Sequence, residues 1–394
     1  MQQKIPAVFM RGGTSRAVFF REDVMARYAQ RTRDNIILTA LGSPDPFGRQ
    51  IDGLGGGISS LSKAAIIGRG TTPAEDVTFN FAQVDVGRPF VDWSGTCGNM
   101  SAAVGPFAID EGLVSAVEPV TSLRVLAVNT GKRFIAHVPV RDGQAAVEGD
   151  YVLDGVPAPG ARIALEYLQP GGSLGGALLP TGAARQPIKL ANGRTVTMSI
   201  VDASMPMVYV RAAELGVDAT RLAPELDSDR ALQATLEEIR CHGAVLLGLA
   251  KTPEQAHEKV KAIPKIALVA PPAAYAASGG KSVAVEDIDV VGRAISMENT
   301  HRTFPATSSM CMAVAAAVVG TVVHEVSRAA TTERLRLGHP AGVSEIGAKV
   351  RCANGIWEVE SITTQRTARR IMEGAVLVPQ GALEGKPWFE AGTP

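Results

Sequence analysis

The sequence predicts an α+β protein of two similar lobes, each with a central helix wrapped by strands. Three observations predict it. Strand-like segments outnumber helical ones, two strongly apolar helices each follow a small-residue, hydroxyl-bearing turn, and 394 residues exceed what one ordinary hydrophobic core serves.

Short apolar or alternating runs predict strands at 7–10, 17–20, 77–84, 123–128, 134–140, 195–201, 208–210, 266–269 and 287–294. Helical spacing appears at 34–41, after Asn99, at 231–240 and after Ser308. Pro224 and Asp227-Ser228-Asp229 fit a loop followed by an N-capped helix. The first apolar helix, 101–108, follows Ser94-Gly95-Thr96-Cys97-Gly98-Asn99, and the second, 310–319, follows Ala306-Thr307-Ser308-Ser309. Neither has a polar face, as expected of a helix enclosed on all sides. Pro106 removes a helical donor, so the first of them is expected to be short or bent. The most apolar stretch, 312–323, is about half the length that spans a bilayer and is expected to form a buried core helix. The expected lobes are residues 1–190, with 375–394 a candidate to complete them, and residues 191–374.

Apolar residues form 46% of the chain and aromatics 5%, so the core is expected to rest on Ala, Val, Leu and Ile, with 41 glycines for turns and close approaches. Lys plus Arg and Asp plus Glu both number 39, which argues against nucleic acid or an anionic membrane as partner and makes any anion binding local. The start Met1-Gln2-Gln3-Lys4-Ile5-Pro6 has no apolar signal-peptide core, and a cytoplasmic location is expected. Cys97, Cys241, Cys311 and Cys352 show no CxxC spacing and are expected to be reduced.

Helix N-termini present unpaired N–H groups and a positive dipole end, so two of them facing one cleft would suit a substrate bearing carboxylates. Cys97 would stand at such a terminus, where a thiol exchanges a proton near neutral pH. Its glycine neighbours, Gly95 and Gly98, and the adjacent Asn99 are poor core packing, which favours chemistry over a structural role. Cys311 lies inside an apolar helix, and Cys241 and Cys352 lack a charged or glycine-rich setting, so all three read as structural. A second cluster runs from Gly53 through Gly55, Gly56, Gly57, Ser59, Ser60 and Ser62 to Lys63, directly before an apolar run. Its N–H and O–H groups could hold a carboxylate, and a lysine leading into a buried strand can be desolvated into a base; a surface lysine beside a flexible turn is the plain alternative. A third cluster, Met10-Arg11-Gly12-Gly13-Thr14-Ser15-Arg16, offers hydroxyls, and Arg11 or Arg16 either for a bidentate carboxylate pair or, equally, as solvated turn residues. A fourth, His301-Arg302-Thr303, puts a guanidinium ahead of the second apolar helix. The candidate substrate-binding set is Thr14, Ser15, Gly56, Gly57, Ser59, Ser60, Ser62, Gly98, Asn99, Ser204, Met205, Arg302, Thr307, Ser308 and Ser309. No Walker loop, GxGxxG fingerprint, HExxH pair or GxSxG elbow occurs, so nucleotide, metal and serine-hydrolase readings lack support; His339 is expected to pack or cap a turn.

Met10 to Ser15, Gly42-Ser43-Pro44-Asp45 through Gln50-Ile51-Asp52-Gly53, Ser62-Lys63, Val91 to Asn99, and Pro264-Lys265 through Ser278-Gly279-Gly280-Lys281 together resemble the 2-methylaconitate isomerase (PrpF-like) family. That family also holds 4-oxalomesaconate tautomerases and methylitaconate isomerases. The resemblance implies a diaminopimelate epimerase-like fold, in which each lobe is a curved, mostly antiparallel sheet around its helix. It implies Lys63 and Cys97 as a proton-transfer pair, no metal or organic cofactor, a small polycarboxylate substrate and a homodimer. The expected activity is an intramolecular proton shift, either double-bond migration or cis-trans isomerisation, on an unsaturated di- or tricarboxylic acid, with 2-methylaconitate ahead of 4-oxalomesaconate and methylitaconate. An amino-acid epimerase would need a second well-placed cysteine, and a non-catalytic accessory protein would not need Lys63 and Cys97. The sequence departs from the family pattern at Arg16-Ala17, where Lys-Gly is common, and in the second helix entry Ala306-Thr307-Ser308-Ser309, where Thr-Gly is common and Ser308 is the departure.

Overall fold

A computed structural model describes residues 1–260, 263–296, 299–328 and 334–384. The chain divides into two compact units, Met1–Glu166 with the chain from Gln365 onward, and Tyr167–Thr364. The crossings therefore fall at Glu166–Tyr167 and Thr364–Gln365, whereas the sequence suggested 190 and 374. Of the segment expected to complete the first lobe, residues 385–394 lie outside the described residues.

In unit 1 the strand Gln2–Gly12 pairs antiparallel with both Ser15–Arg21 and Ala368–Pro379, with a register shift between Phe9 and Met10. Ser15–Arg21 runs parallel to Lys63–Arg69, which pairs antiparallel with Val77–Val84. Val77–Val84 then runs parallel to Val120–Ala127, the partner of Lys132–Arg141. Successive side chains of a strand face opposite sides, and here both sides are buried. Phe19 packs at a tilt against Phe107 of the central helix, ring centroids 5.4 Å apart, while Val18 and Phe20 join Ile36, Ile37 and Leu41 in the opposite layer. The run Ala17-Val18-Phe19-Phe20 is continuously apolar for that reason.

The first central helix is Gly98–Asp110, buried over nearly its whole length. It is not short: thirteen residues carry Pro106 inside, since burial on all sides outweighs one missing helical donor. A Cβ at Gly105 would lie 2.5 Å from Val138 Cγ2, so this glycine lets the helix press against the strand Lys132–Arg141. The helix Gln30–Leu41 starts four residues before the expected 34 and ends on Gly42, whose φ of 73° allows its N–H to reach Leu38 O and Thr39 O.

Unit 2 pairs Gln186–Lys189, Thr195–Ala203 and Met205–Arg211 antiparallel, then Met205–Arg211 parallel to Lys265–Ala270, with Val290–Ser296 antiparallel beyond. Leu335–His339 runs parallel to Val290–Ser296 and leads into the hairpin of Gly342–Ala353 and Ile356–Arg366. The second central helix, Ala306–Ala317, packs against Val201, Met207, Leu337, Ile346 and Ile362. The single helix expected at 312–323 is broken. Gly320 takes a φ of 89°, and Thr321 begins a new helix, Val322–Val326, by accepting a hydrogen bond from His324 N at 3.0 Å. Pro224 lies in a short helix, Ala223–Ser228, instead of a loop, and Asp229 caps Arg230–Leu246 through Leu232 N at 3.1 Å. The outer helix Arg230–Leu246 buries Leu232, Leu236 and Ile239 against the other face of the sheet.

Candidate active site

The turn between Gln2–Gly12 and Ser15–Arg21 is held against the start of the first central helix by Asn99, whose Nδ2 donates to Thr14 Oγ1 at 3.1 Å and to Ser15 Oγ at 3.3 Å. Two glycines make this approach possible. A Cβ at Gly12 would stand 2.6 Å from Asn99 O, and one at Gly13, where φ is 52°, would overlap Asn99 Oδ1. Cys97 is the N-cap residue of that helix; its backbone oxygen accepts from Ser101 N at 2.9 Å and Ser101 Oγ at 3.0 Å, and its half-buried thiol caps nothing. Gly98 follows it, buried.

Lys63 opens the strand Lys63–Arg69 at only 7% exposure. Its Nζ donates to Gln83 Oε1, directly across the ladder, and sits 5.3 Å from the centre of the Phe81 ring. Burial lowers the proton affinity of this amine below the ordinary lysine value, and Cys97 is the neighbouring group whose negative form would oppose that shift. Lys63 and Cys97 therefore feel each other electrostatically inside unit 1.

The glycine-rich loop ahead of Lys63 is organised by Gln50, which is wholly buried with a φ of 53°. Its Nε2 donates to Ser43 Oγ at 2.7 Å and Ser62 Oγ at 2.6 Å, its Oε1 accepts from Gly57 N at 3.0 Å, and its own N–H is fixed by Asp45 Oδ2 at 2.6 Å. The buried Ser62 hydroxyl is thereby committed to Gln50. Gly56 packs on Leu61 and near Arg16, and Ser59 gives its carbonyl to Gln83 Nε2, while Ser60 lies in the same short turn, Ser59–Leu61. Of the two arginines weighed for carboxylate pairing, Arg11 is held by backbone carbonyls, whereas the buried Nε of Arg16 has no hydrogen-bond partner among the described residues. Arg11 donates to Gly13 O at 2.9 Å and Thr367 O at 3.0 Å, and Arg16 projects from the strand face opposite Ser15, its guanidinium 5.4 Å from the Phe9 ring centre.

In unit 2, Ser204, Met205, Thr307 and Ser308 come together around sulfur. Thr307 Oγ1 and Ser308 Oγ donate to Met205 Sδ at 3.2 and 3.4 Å, and Ser204, with a φ of 64°, donates to Met310 Sδ at 3.6 Å. Ser309 turns back onto Ala306 O at 2.8 Å, and the exposed Arg302 lies 3.9 Å from Asp227. Cys311 is fully buried and donates to Val201 O at 3.3 Å; burial pushes its thiol up to about 12. Lys265 is a second amine lowered by burial, and His301 is held toward its neutral form by burial and by Lys265's charge.

The reading of Cys241 as lacking a charged setting is corrected. One helical turn from Glu237 and next to Arg240, its thiol lies 3.4 Å from Glu237 Oε1 and 3.4 Å from Arg240 Nη2, and burial, the largest influence, pushes it up to about 12. Glu237, Cys241 and His257 form the group of metal-capable side chains among the described residues, and Arg240 holds its carboxylate by two 2.7 Å bonds. His339 is buried against Ser344 Oγ at 2.9 Å and accepts from Ala341 N at 3.2 Å. Among the described residues no helix is long and apolar enough to cross a membrane.

A solved hydroxyproline epimerase from Agrobacterium vitis shares the fold, with a TM-score of 0.51 and 10% identity over 97% of this chain and 96% of that one. A solved methylitaconate delta-isomerase superposes with a TM-score of 0.88 at 40% identity, covering 99% of each chain. The architecture is thus diaminopimelate epimerase-like, and the protein is an isomerase. It belongs to the PrpF protein family, which matches residues 2–379. The 2-methyl-aconitate isomerase of Shewanella oneidensis is 41% identical over 96% of this chain and 98% of its own. The 3-methylitaconate isomerase of Eubacterium barkeri is 41% identical over 97% and 99%.

Proposed function

We propose that the protein isomerises an unsaturated polycarboxylate, 2-methylaconitate first among candidates, by proton transfer through Lys63 and Cys97. The observation that carries this reading is the desolvated Lys63 amine held within electrostatic reach of a helix-terminal thiol. Substrate choice follows the relatives named for 2-methylaconitate, a tricarboxylate, and 3-methylitaconate, a dicarboxylate, both of which carry a double bond with an allylic proton.

Neutral Lys63 takes a proton from the allylic carbon, and the C–H electron pair spreads through the conjugated system onto a carboxylate as a dienolate. The former double bond now has single-bond character and can rotate. Cys97 returns a proton to carbon, at the original position for cis-trans isomerisation or at the far end for migration. The thiolate left behind recovers its proton from the Lys63 ammonium or from solvent, so charge and atoms balance. Thr14, Ser15, Gly98 and Asn99, at and beside the start of the helix that follows Cys97, have the role of holding a carboxylate. No cofactor is required by these steps. A homodimer in the cytoplasm belongs to the same proposal and is checked by light scattering and cell fractionation.

Proton NMR in deuterium oxide tests the reading with 2-methylaconitate, 4-oxalomesaconate, methylitaconate and aconitate in parallel. The expected result is deuterium entering 2-methylaconitate fastest at the allylic carbon. Faster turnover of another acid reassigns the substrate, and exchange into none of them overturns the proposal.

A further inference from the structure

The glutamine across the ladder from Lys63 does more than pair strands. Gln83 Nε2 donates to two backbone carbonyls, Ser62 O at 2.9 Å and Ser59 O at 3.1 Å. Carbonyls only accept, so the NH2 group must point at them, and the amide oxygen is thereby forced toward Lys63 Nζ. One side chain thus binds the turn Ser59–Leu61 and aims a fixed acceptor at the amine. We infer that Gln83 is a positioning residue that holds the Lys63 amine by one N–H so that its lone pair faces the substrate.

Resting on the reading of Lys63 as the base, this inference explains why the partner is an amide. A carboxylate at the same place would bind the lysine as an ammonium and repel both carbonyls; an alkyl chain would leave the amine without direction. An amide accepts the N–H while adding no charge, so the amine can lose its proton and still be held. The other groups around the amine fit the same arrangement. The Phe81 ring face covers one side, and Cys97 is the titratable group acting on it. Asp92, paired with Gln83 in register on the strand Val91–Asp92, turns its carboxylate onto Ser94 N at 2.8 Å and Ser94 Oγ at 2.6 Å.

The test compares full-length Gln83→Glu and Gln83→Met with the parent chain by two measurements. Titration of the lysine 13Cε resonances, with Lys63 assigned by its loss in Lys63→Arg, follows the amine without substrate. Deuterium exchange into the preferred acid gives kcat and KM over the same pH range. In Gln83→Glu the Lys63 midpoint should rise by about one pH unit or more, with kcat at neutral pH falling roughly tenfold or more and recovering as pH rises, at nearly constant KM. In Gln83→Met the ammonium loses an acceptor, so the midpoint should fall while kcat still drops roughly tenfold, now at every pH. Opposite midpoint shifts with a shared loss of kcat support the inference. A Lys63 midpoint unmoved in both variants, or moved with kcat intact while Lys63→Ala is inactive, overturns it and leaves the base assignment standing. Near-normal exchange in Lys63→Ala instead overturns the base assignment itself. Should Gln83→Glu fail to fold by circular dichroism, Gln83→Met decides alone.

Discussion

The two central helices begin differently, and the difference separates two cysteines that look alike on paper. In unit 1 the helix Gly98–Asp110 starts directly after Cys97, whose thiol lies outside the first turn and is half-exposed. In unit 2 the helix Ala306–Ala317 starts after Pro305, and its cysteine, Cys311, lies inside the second turn, sealed in the core and bonded to Val201 O. At the terminus a thiol meets unpaired N–H groups and water; one turn further in it meets apolar side chains that disfavour its anion. Position relative to the first turn, more than the presence of cysteine, decides whether the residue can carry a proton. Among the described residues one central helix carries a thiol at its start, and the partner proposed for it is of another kind, the buried amine of Lys63.

The largest expected effect breaks this asymmetry at its active side. Lys63→Ala and Cys97→Ala should each lower kcat by about 10²–10⁴-fold, the usual range for a general acid or base. Deuterium exchange in Cys97→Ser within a few-fold of the parent rate would show that the helix-terminal thiol is dispensable. Next in size is the turn that seats the helix. Gly13→Ala puts a methyl into Asn99 Oδ1 at a backbone conformation disfavoured for alanine, and it should cost about 1–3 kcal/mol in denaturant unfolding. Turnover should fall with it, because Asn99 and the Thr14–Ser15 turn shift together.

The pH dependence sharpens the same contrast. Burial lowers the Lys63 proton affinity, so the active, neutral amine is fully populated only above its folded-state midpoint and is lost as pH falls through it. kcat/KM should accordingly rise with pH along a limb whose midpoint lies below the ordinary lysine value of about 10.4. A limb at or above that value would mean the amine is not desolvated in solution. The smallest effect is expected at the quiet cysteine. Cys311→Ala should leave kcat within about twofold and cost about 1 kcal/mol of stability, and iodoacetamide should label Cys97 and the exposed Cys352 well before Cys311 or Cys241 in the native protein.

Much of the fold was legible because periodicity carries it. The strand Val77–Val84 matches its expected bounds residue for residue, since it alternates from Val77 to Phe81 and is flanked by Asp76 and Asp85. The helix Gln30–Leu41 was clipped at its start because Ala29 offers no capping side chain to read. The break at Gly320 was missed because the apolar pattern runs straight through it. At the candidate site, Lys63 and Cys97 stood out through unusual neighbours: a charged residue heading an apolar run and a thiol framed by glycine. Gln83 and Gln50 did not. Their meaning lies in side-chain hydrogen bonds with residues 20 and 12 positions away, and a strand or loop glutamine has no periodic signature. Arg11, weighed both as a carboxylate partner and as a turn residue, gives its guanidinium to the carbonyls of Gly13 and Thr367, the second of them 356 positions away and outside any local pattern.

The pairing of Gln2–Gly12 with Ala368–Pro379, running from Gln2 opposite Pro379 to Gly12 opposite Ala368, has a bearing on biosynthesis. A ribosome delivers the first strand at once and its partner only after unit 2 has been made. Unit 2 is contiguous in the chain and can collapse as soon as it clears the exit tunnel, whereas unit 1 must wait with an unpaired strand edge until the last strand arrives. Lys63 and Cys97, both translated early, therefore reach a completed sheet late, and a chain stalled before residue 368 would carry both groups without the strand that closes their unit.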